Sequence, residues 1–146
     1  MIPNSIEREI LIDAPIDVVW SVVTEPEQIR KWFADEAEIE LRVGGSGQLK
    51  FKPSGDSYQL EIEAVEPPRR FAFRWVQPAG AVVRQDGSML VEFTLHPEPS
   101  GTRLRVVESG FDTVDWSDAK KRQYADSHSQ GWQTLLGRLR DYAPTA

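Results

Sequence analysis

Cysteine is absent from the 146 residues, which excludes disulfides, thiolate metal sites and a cysteine nucleophile. No apolar run approaches the ~18 residues of a membrane-spanning helix, so no membrane insertion is expected. The start Met1-Ile2-Pro3-Asn4 has neither a basic nor an apolar signal segment, and a cytoplasmic location is expected. Positive charge is the minority: 17 Lys and Arg face 23 Asp and Glu, for a net charge of −6. A nucleic-acid partner is therefore not expected, because phosphate binding needs a cationic stripe. Also missing are a Walker loop, a dinucleotide glycine fingerprint, a zinc-protease helix and a nucleophile elbow. No catalytic residue is assigned and no cofactor is expected. With 40% hydrophobic and 27% charged residues, the composition is that of one ordinary globular domain.

Aromatics are plentiful, and alternation is the dominant pattern. Residues 6–12 read as a strand, with Ile6, Arg8, Ile10 and Ile12 in one phase. Asp13-Ala14-Pro15 signals a helix start, with Asp13 as cap and Pro15 in the first turn. Ile16, Val19, Trp20 and Val23 follow at helical spacing. Thr24-Glu25-Pro26 begins a second short helix, with Thr24 as its cap, that carries Ile29, Trp32 and Phe33. Six strands with one apolar face follow. Their phases are Ala37/Ile39/Leu41, Leu49/Phe51, Tyr58/Leu60/Ile62/Ala64, Phe71/Phe73/Trp75, Met89/Val91/Phe93/Leu95 and Leu104/Val106/Glu108. The turns lie at Val43–Gly47, Pro53–Asp56, Pro67-Pro68 and Pro97–Gly101, with a loop or long hairpin end over Pro78–Gly87, and this spacing favours a meander. Gly44-Gly45-Ser46-Gly47 lies between two strands, so it reads as a hairpin turn and not a phosphate cradle. Residues 116–142 form a helix with the stripe Ala125, His128, Trp132, Leu135, Leu136 and Leu139. Gly131 inside it costs about 1 kcal/mol against alanine; close approach of the helix to the sheet would account for it.

One long helix covers only part of so wide and aromatic a sheet face. The remainder is closed by the short helices and loops, or is left as an apolar cavity of the kind small molecules occupy.

Several stretches resemble the family of homologues of the activator of the heat-shock-protein-90 ATPase, within the START-like, or SRPBCC, superfamily. They are Ala14-Pro15, Val19-Trp20, Thr24, Pro26, Ile29, Trp32-Phe33, Val43-Gly44-Gly45, Val65–Arg69 with Phe71–Trp75, Thr102, Glu108–Phe111, and Gly131-Trp132 with Leu135 and Leu139. The resemblance implies an α+β helix-grip fold in a single START-like domain over residues 1–146. It would comprise a seven-stranded curved antiparallel sheet, two short helices and a long C-terminal helix. These motifs mark fold positions, and the superfamily hosts binding proteins, cyclases, transfer proteins and chaperone activators.

Two charges stand in inward phases, Arg8 and Glu108. The fold brings the first and last strands together, so they could meet as an ion pair near water at the sheet end, or anchor a ligand deep in the pocket. His96 precedes Pro97 at a strand end and is expected to be exposed. His128, one turn before Trp132, is either a water-satisfied surface histidine or a cavity residue able to hydrogen-bond a ligand or act as a general acid. It has no second ligand at i+3 or i+4, so no metal site is expected. Glu36, Glu38, Glu40, Glu61 and Glu63 read as the solvated face of the sheet. The expected function is binding of a small hydrophobic or amphipathic ligand between sheet and C-terminal helix. Its candidate ligand-binding residues are Trp32, Phe51, Phe73, Trp75, Phe93, Glu108, His128 and Trp132. The alternatives are a chaperone-activator-like protein-interaction module and a cyclase or hydrolase using the same cavity. Eukaryotic activators carry a separate N-terminal domain for which there is no room here. The expected state is a monomer or homodimer.

Overall fold

A computed structural model describes residues 5–52, 54–75, 88–111 and 114–146. The expected loop Pro78–Gly87 and Pro53 of the expected turn lie outside the described residues. The chain runs β1 (Ser5–Ile12), α1 (Ile16–Thr24), α2 (Pro26–Ile29), β2 (Glu36–Ile39), β3 (Ser46–Lys50), β4 (Ser57–Glu66), β5 (Arg70–Trp75), β6 (Met89–Glu98), β7 (Gly101–Ser109) and α3 (Asp118–Tyr142). The short 3-10 turn Ala143–Thr145 closes it. The seven strands form one antiparallel sheet in the order β1-β7-β6-β5-β4-β3-β2. The two short helices carry the chain from one sheet edge to the other, and the meander then walks back until β7 lies beside β1.

Alternation set the two sheet faces. Leu104, Val106 and Glu108 of β7 are buried in one phase while Arg103 and Arg105 are exposed in the other. A register shift between Ile62 and Ala64 on β4 breaks the simple pairing with β5, the kind of irregularity that bends a sheet. On the concave side α3 lays down Tyr124, Ala125, Trp132, Leu136 and Leu139, all buried. Its start is capped by Ser117, whose side chain accepts from the Lys120 N–H at 3.2 Å.

Several local expectations are corrected. Pro15 takes the N-cap position of α1 with no side-chain cap bond, so Asp13 does not cap it. Thr24 does not cap α2; its hydroxyl donates back to the Trp20 carbonyl at 2.7 Å, and Glu25 holds the cap position before Pro26. Leu41 falls beyond β2 and is 42% exposed, because the chain already turns there. That turn is the expected hairpin: Gly44 has φ 81°, and a Cβ on Gly45 would stand 2.3 Å from the Glu40 carbonyl oxygen. The expectation for Gly131 fails, since nothing lies within 4 Å of where its Cβ would be. Close approach to the sheet is not what keeps that glycine.

Candidate functional site

The apolar faces meet in a closed aromatic core. Trp32, Phe73, Phe93 and Trp132 are all at most 2% exposed. Phe33 links them, with ring centroids 5.1 Å from Trp32 and 5.5 Å from Trp132. Trp132 also meets Phe93 edge-on at 5.8 Å. Trp32 and Phe33, expected on the second helix, lie in the turn after it, and the Trp32 indole N–H donates to the Val22 carbonyl at 2.9 Å, which ties that turn to α1. Four of the candidate residues thus fill the space between sheet and helices with rings.

A carboxylate lies at one end of this core. Glu108 is 0% exposed, because its phase on β7 points it under α3. Its two oxygens share four partners. Oε1 accepts from the Trp132 indole at 2.9 Å and faces His128 Nδ1 at 2.9 Å. Oε2 accepts from the Trp75 indole at 2.9 Å and from the Tyr124 hydroxyl at 2.5 Å. Burial alone would push the Glu108 carboxyl up. The hydrogen bond and positive charge of His128, with the bonds from Tyr124 and Trp132, outweigh it and hold the group below the usual carboxylate range. Burial, reinforced by the Glu108 charge, pushes the Tyr124 phenol far up, so it stays a neutral donor.

The expected meeting of Arg8 with Glu108 does not occur. Arg8 stands opposite Val106 and Glu108 opposite Ile6; the Arg8 guanidinium instead donates to Ser129 Oγ on α3 at 2.8 Å. Both Glu108 oxygens are already occupied. His128 is not left to water: it pairs with Glu108, and its side chain keeps 20% exposure. Its ring stacks on Tyr124 at 3.8 Å and meets Trp75 edge-on at 5.9 Å.

Beside this cluster a pocket of about 190 Å³ opens between sheet and helix, lined by Phe51, Asp56, Tyr58, Trp75 and His128. Three of the candidate residues, Phe51, Trp75 and His128, therefore border open space. Glu108 stands behind His128 and Trp75, Trp132 is bonded to Glu108 from α3, and Trp32, Phe73 and Phe93 belong to the sealed core. A larger groove of about 710 Å³ runs along β2 and β3 between Arg30, Asp35, Glu36, Lys50, Lys52 and their neighbours. It is lined by charges of both signs, with Lys50 and Glu36 3.7 Å apart, so its wall is predominantly polar.

Three participants escaped the sequence-based set: Tyr58, Asp56 and Tyr124. Tyr124 was findable, since it stands one turn before His128 as His128 stands one turn before Trp132. Tyr58 shares the inward phase of Leu60 and Ile62. Asp56 lies in a turn and gave no signal.

The family model described as Activator of Hsp90 ATPase homolog 1-like protein matches residues 13–143. Among solved structures, protein MLL2253 of Mesorhizobium loti is 25% identical over 97% of this chain and 98% of its own, with a TM-score of 0.80. CalU16 of Micromonospora echinospora is 30% identical over 95% of this chain and 75% of its own, with a TM-score of 0.71. Protein BH1534 of Bacillus halodurans is 27% identical over 98% and 99% of the two chains, with a TM-score of 0.75. No curated protein matches the chain. Among the described residues no helix is long and apolar enough to cross a membrane, and no cluster of three or more His, Asp or Glu is placed to hold a metal.

Proposed function

The chain belongs to the Activator of Hsp90 ATPase homolog 1-like family, and within it we propose that this protein binds a small hydrophobic or amphipathic ligand between its sheet and its C-terminal helix. The observation that carries the reading is the pocket walled by Phe51, Tyr58 and Trp75, with the clamped imidazole of His128 on one side. Apolar walls with a small number of polar groups, here His128 and Asp56, are the usual make-up of a small-molecule site.

Size bounds the guest. Among the described residues, the rings of Trp32, Phe33, Phe73, Phe93 and Trp132 fill the space between sheet and helix where a long chain would thread. A volume of about 190 Å³ falls below the ~300–1,000 Å³ of drug-sized pockets, yet exceeds the ~150 Å³ cavity that takes benzene. One ring enters, and the rest of any larger ligand stays at the mouth.

Native mass spectrometry of the full chain against a library of aromatic and lipid-like metabolites tests this. The expected result is a one-to-one complex that also perturbs Trp75 fluorescence. Silence across the library, with no ligand-induced shift at Trp75 or His128 by NMR, would remove the reading.

A further inference from the structure

The Glu108–His128 pair narrows the chemistry of the guest, on the premise that the pocket is a ligand site. The indoles of Trp75 and Trp132 are donors only, and both point at Glu108. With Tyr124 donating as well, three of the four contacts on Glu108 are fixed donors to it, and its partners hold the carboxyl below the usual carboxylate range despite burial, so it stands ionised. Nδ1 of His128, 2.9 Å from Oε1, must therefore bring the proton to that bond. A half-turn of the ring about its Cβ–Cγ bond would keep the stack on Tyr124 but set Cδ2 in place of Nδ1 against Oε1 and forfeit that bond, so the ring is held in this orientation.

The outer nitrogen, Nε2, is thereby defined. In the neutral ring it is a lone-pair acceptor, and in the cation it is a donor. His128 makes its hydrogen bond through Nδ1, and among the described residues Nε2 has no hydrogen-bond partner. His128 is part of the pocket wall. A carbonyl satisfies Nε2 only in the cation, and an amide or amine N–H only in the neutral ring. A hydroxyl satisfies both, donating to the lone pair or accepting from the N–H. The adjoining space is ring-sized and ring-lined.

We propose that the pocket takes a phenolic ring, with its hydroxyl on His128 Nε2 and its ring against Phe51, Tyr58 and Trp75. Glu108 is then a positioning residue that fixes which nitrogen faces the ligand. Asp56, an exposed carboxylate among the lining residues, disfavours phenols that carry a carboxylate of their own.

The test titrates the full chain, labelled with nitrogen-15, with phenol and with benzene. The free protein is expected to show His128 protonated at Nδ1, and phenol to shift the Nε2 resonance while Nδ1 moves little. Phenol is expected to bind about fivefold or more tightly than benzene, the scale of one net hydrogen bond. His128→Phe keeps a ring in the wall and is expected to erase that preference while benzene still binds. Equal affinities, a preference that survives His128→Phe, or an Nε2 resonance unmoved at phenol saturation would each overturn the phenol assignment and leave the pocket reading standing. Should His128→Phe fail to fold, the Nε2 resonance of the native chain decides alone. Failure of both probes to bind would bring down the pocket reading itself, and the phenol assignment with it.

Discussion

The two faces of the sheet use carboxylates in opposite ways. On the convex face Glu63 pairs with Arg74 at 3.2 Å, Arg70 bridges Glu66 and Glu92, and Arg103 bridges Glu9 and Glu98. Those groups stay in contact with water, and each pair is screened by salt and contributes little. On the concave face Glu108 is dry and receives four partners from β5 and α3. A charge there is tolerable only because every partner is in place; remove one side and the other is left unsatisfied in low dielectric. The same residue type is thus a solubilising ornament on one side and a structural node on the other. The difference comes from which phase of a strand it occupies.

The largest expected effect is Glu108→Ala, which strands two indole N–H groups, a hydroxyl and an imidazole at once. It should destabilise the fold by roughly 3–5 kcal/mol in a urea titration, the range for breaking a buried pair from one side. A loss below that of the convex-face variants would erase the contrast between the faces. Tyr124→Phe removes one hydroxyl and keeps the ring. Its expected cost is about 1.5–3 kcal/mol, that of a hydrogen bond to a charged group, with far-ultraviolet circular dichroism unchanged.

Acid sharpens the comparison further. The folded protein holds the Glu108 carboxyl below its ordinary value, so near and below the unfolded value of ~4.3 the unfolded chain binds more protons at this site. Its contribution to stability is complete above that pH and declines as pH falls through the folded value. The native chain should therefore lose stability on acidification more steeply than Glu108→Gln. Parallel acid limbs for the two would show that Glu108 is not held ionised. The smallest effect belongs to Glu63→Gln on the convex face, at most about 1 kcal/mol. It should fade in 1 M salt, whereas the Tyr124→Phe loss should persist.

How far the residues alone carried is clearest along α3 and β7. The stripe on α3 and the phase of Glu108 were both legible, because periodicity reports which way a side chain points relative to its own element. What the pattern could not report was the partner. Trp75, Tyr124, His128 and Trp132 come from β5 and α3, up to 33 residues from Glu108, and only the packing of helix on sheet brings them to one carboxylate. The ion pair expected with Arg8 was reasonable from strand adjacency. It failed because Arg8 sits opposite Val106 and reaches α3 instead.

The candidate pocket divides along the same line. Phe51, Trp75 and His128 border open space, whereas Trp32, Phe73 and Phe93 are sealed in the core. All six are rings read as inward-facing from strand alternation or helical spacing, and neither periodicity can tell a ring at the end of a packed layer from one at its centre. The residues by themselves determined the order of elements, the two faces of the sheet and the family signature, because those depend on local periodicity and turn chemistry. The depth of the core, the four-partnered carboxylate and the single-ring opening beside it were decided by tertiary structure. They depend on how volumes from distant segments fill a shared space, and no local pattern encodes that sum.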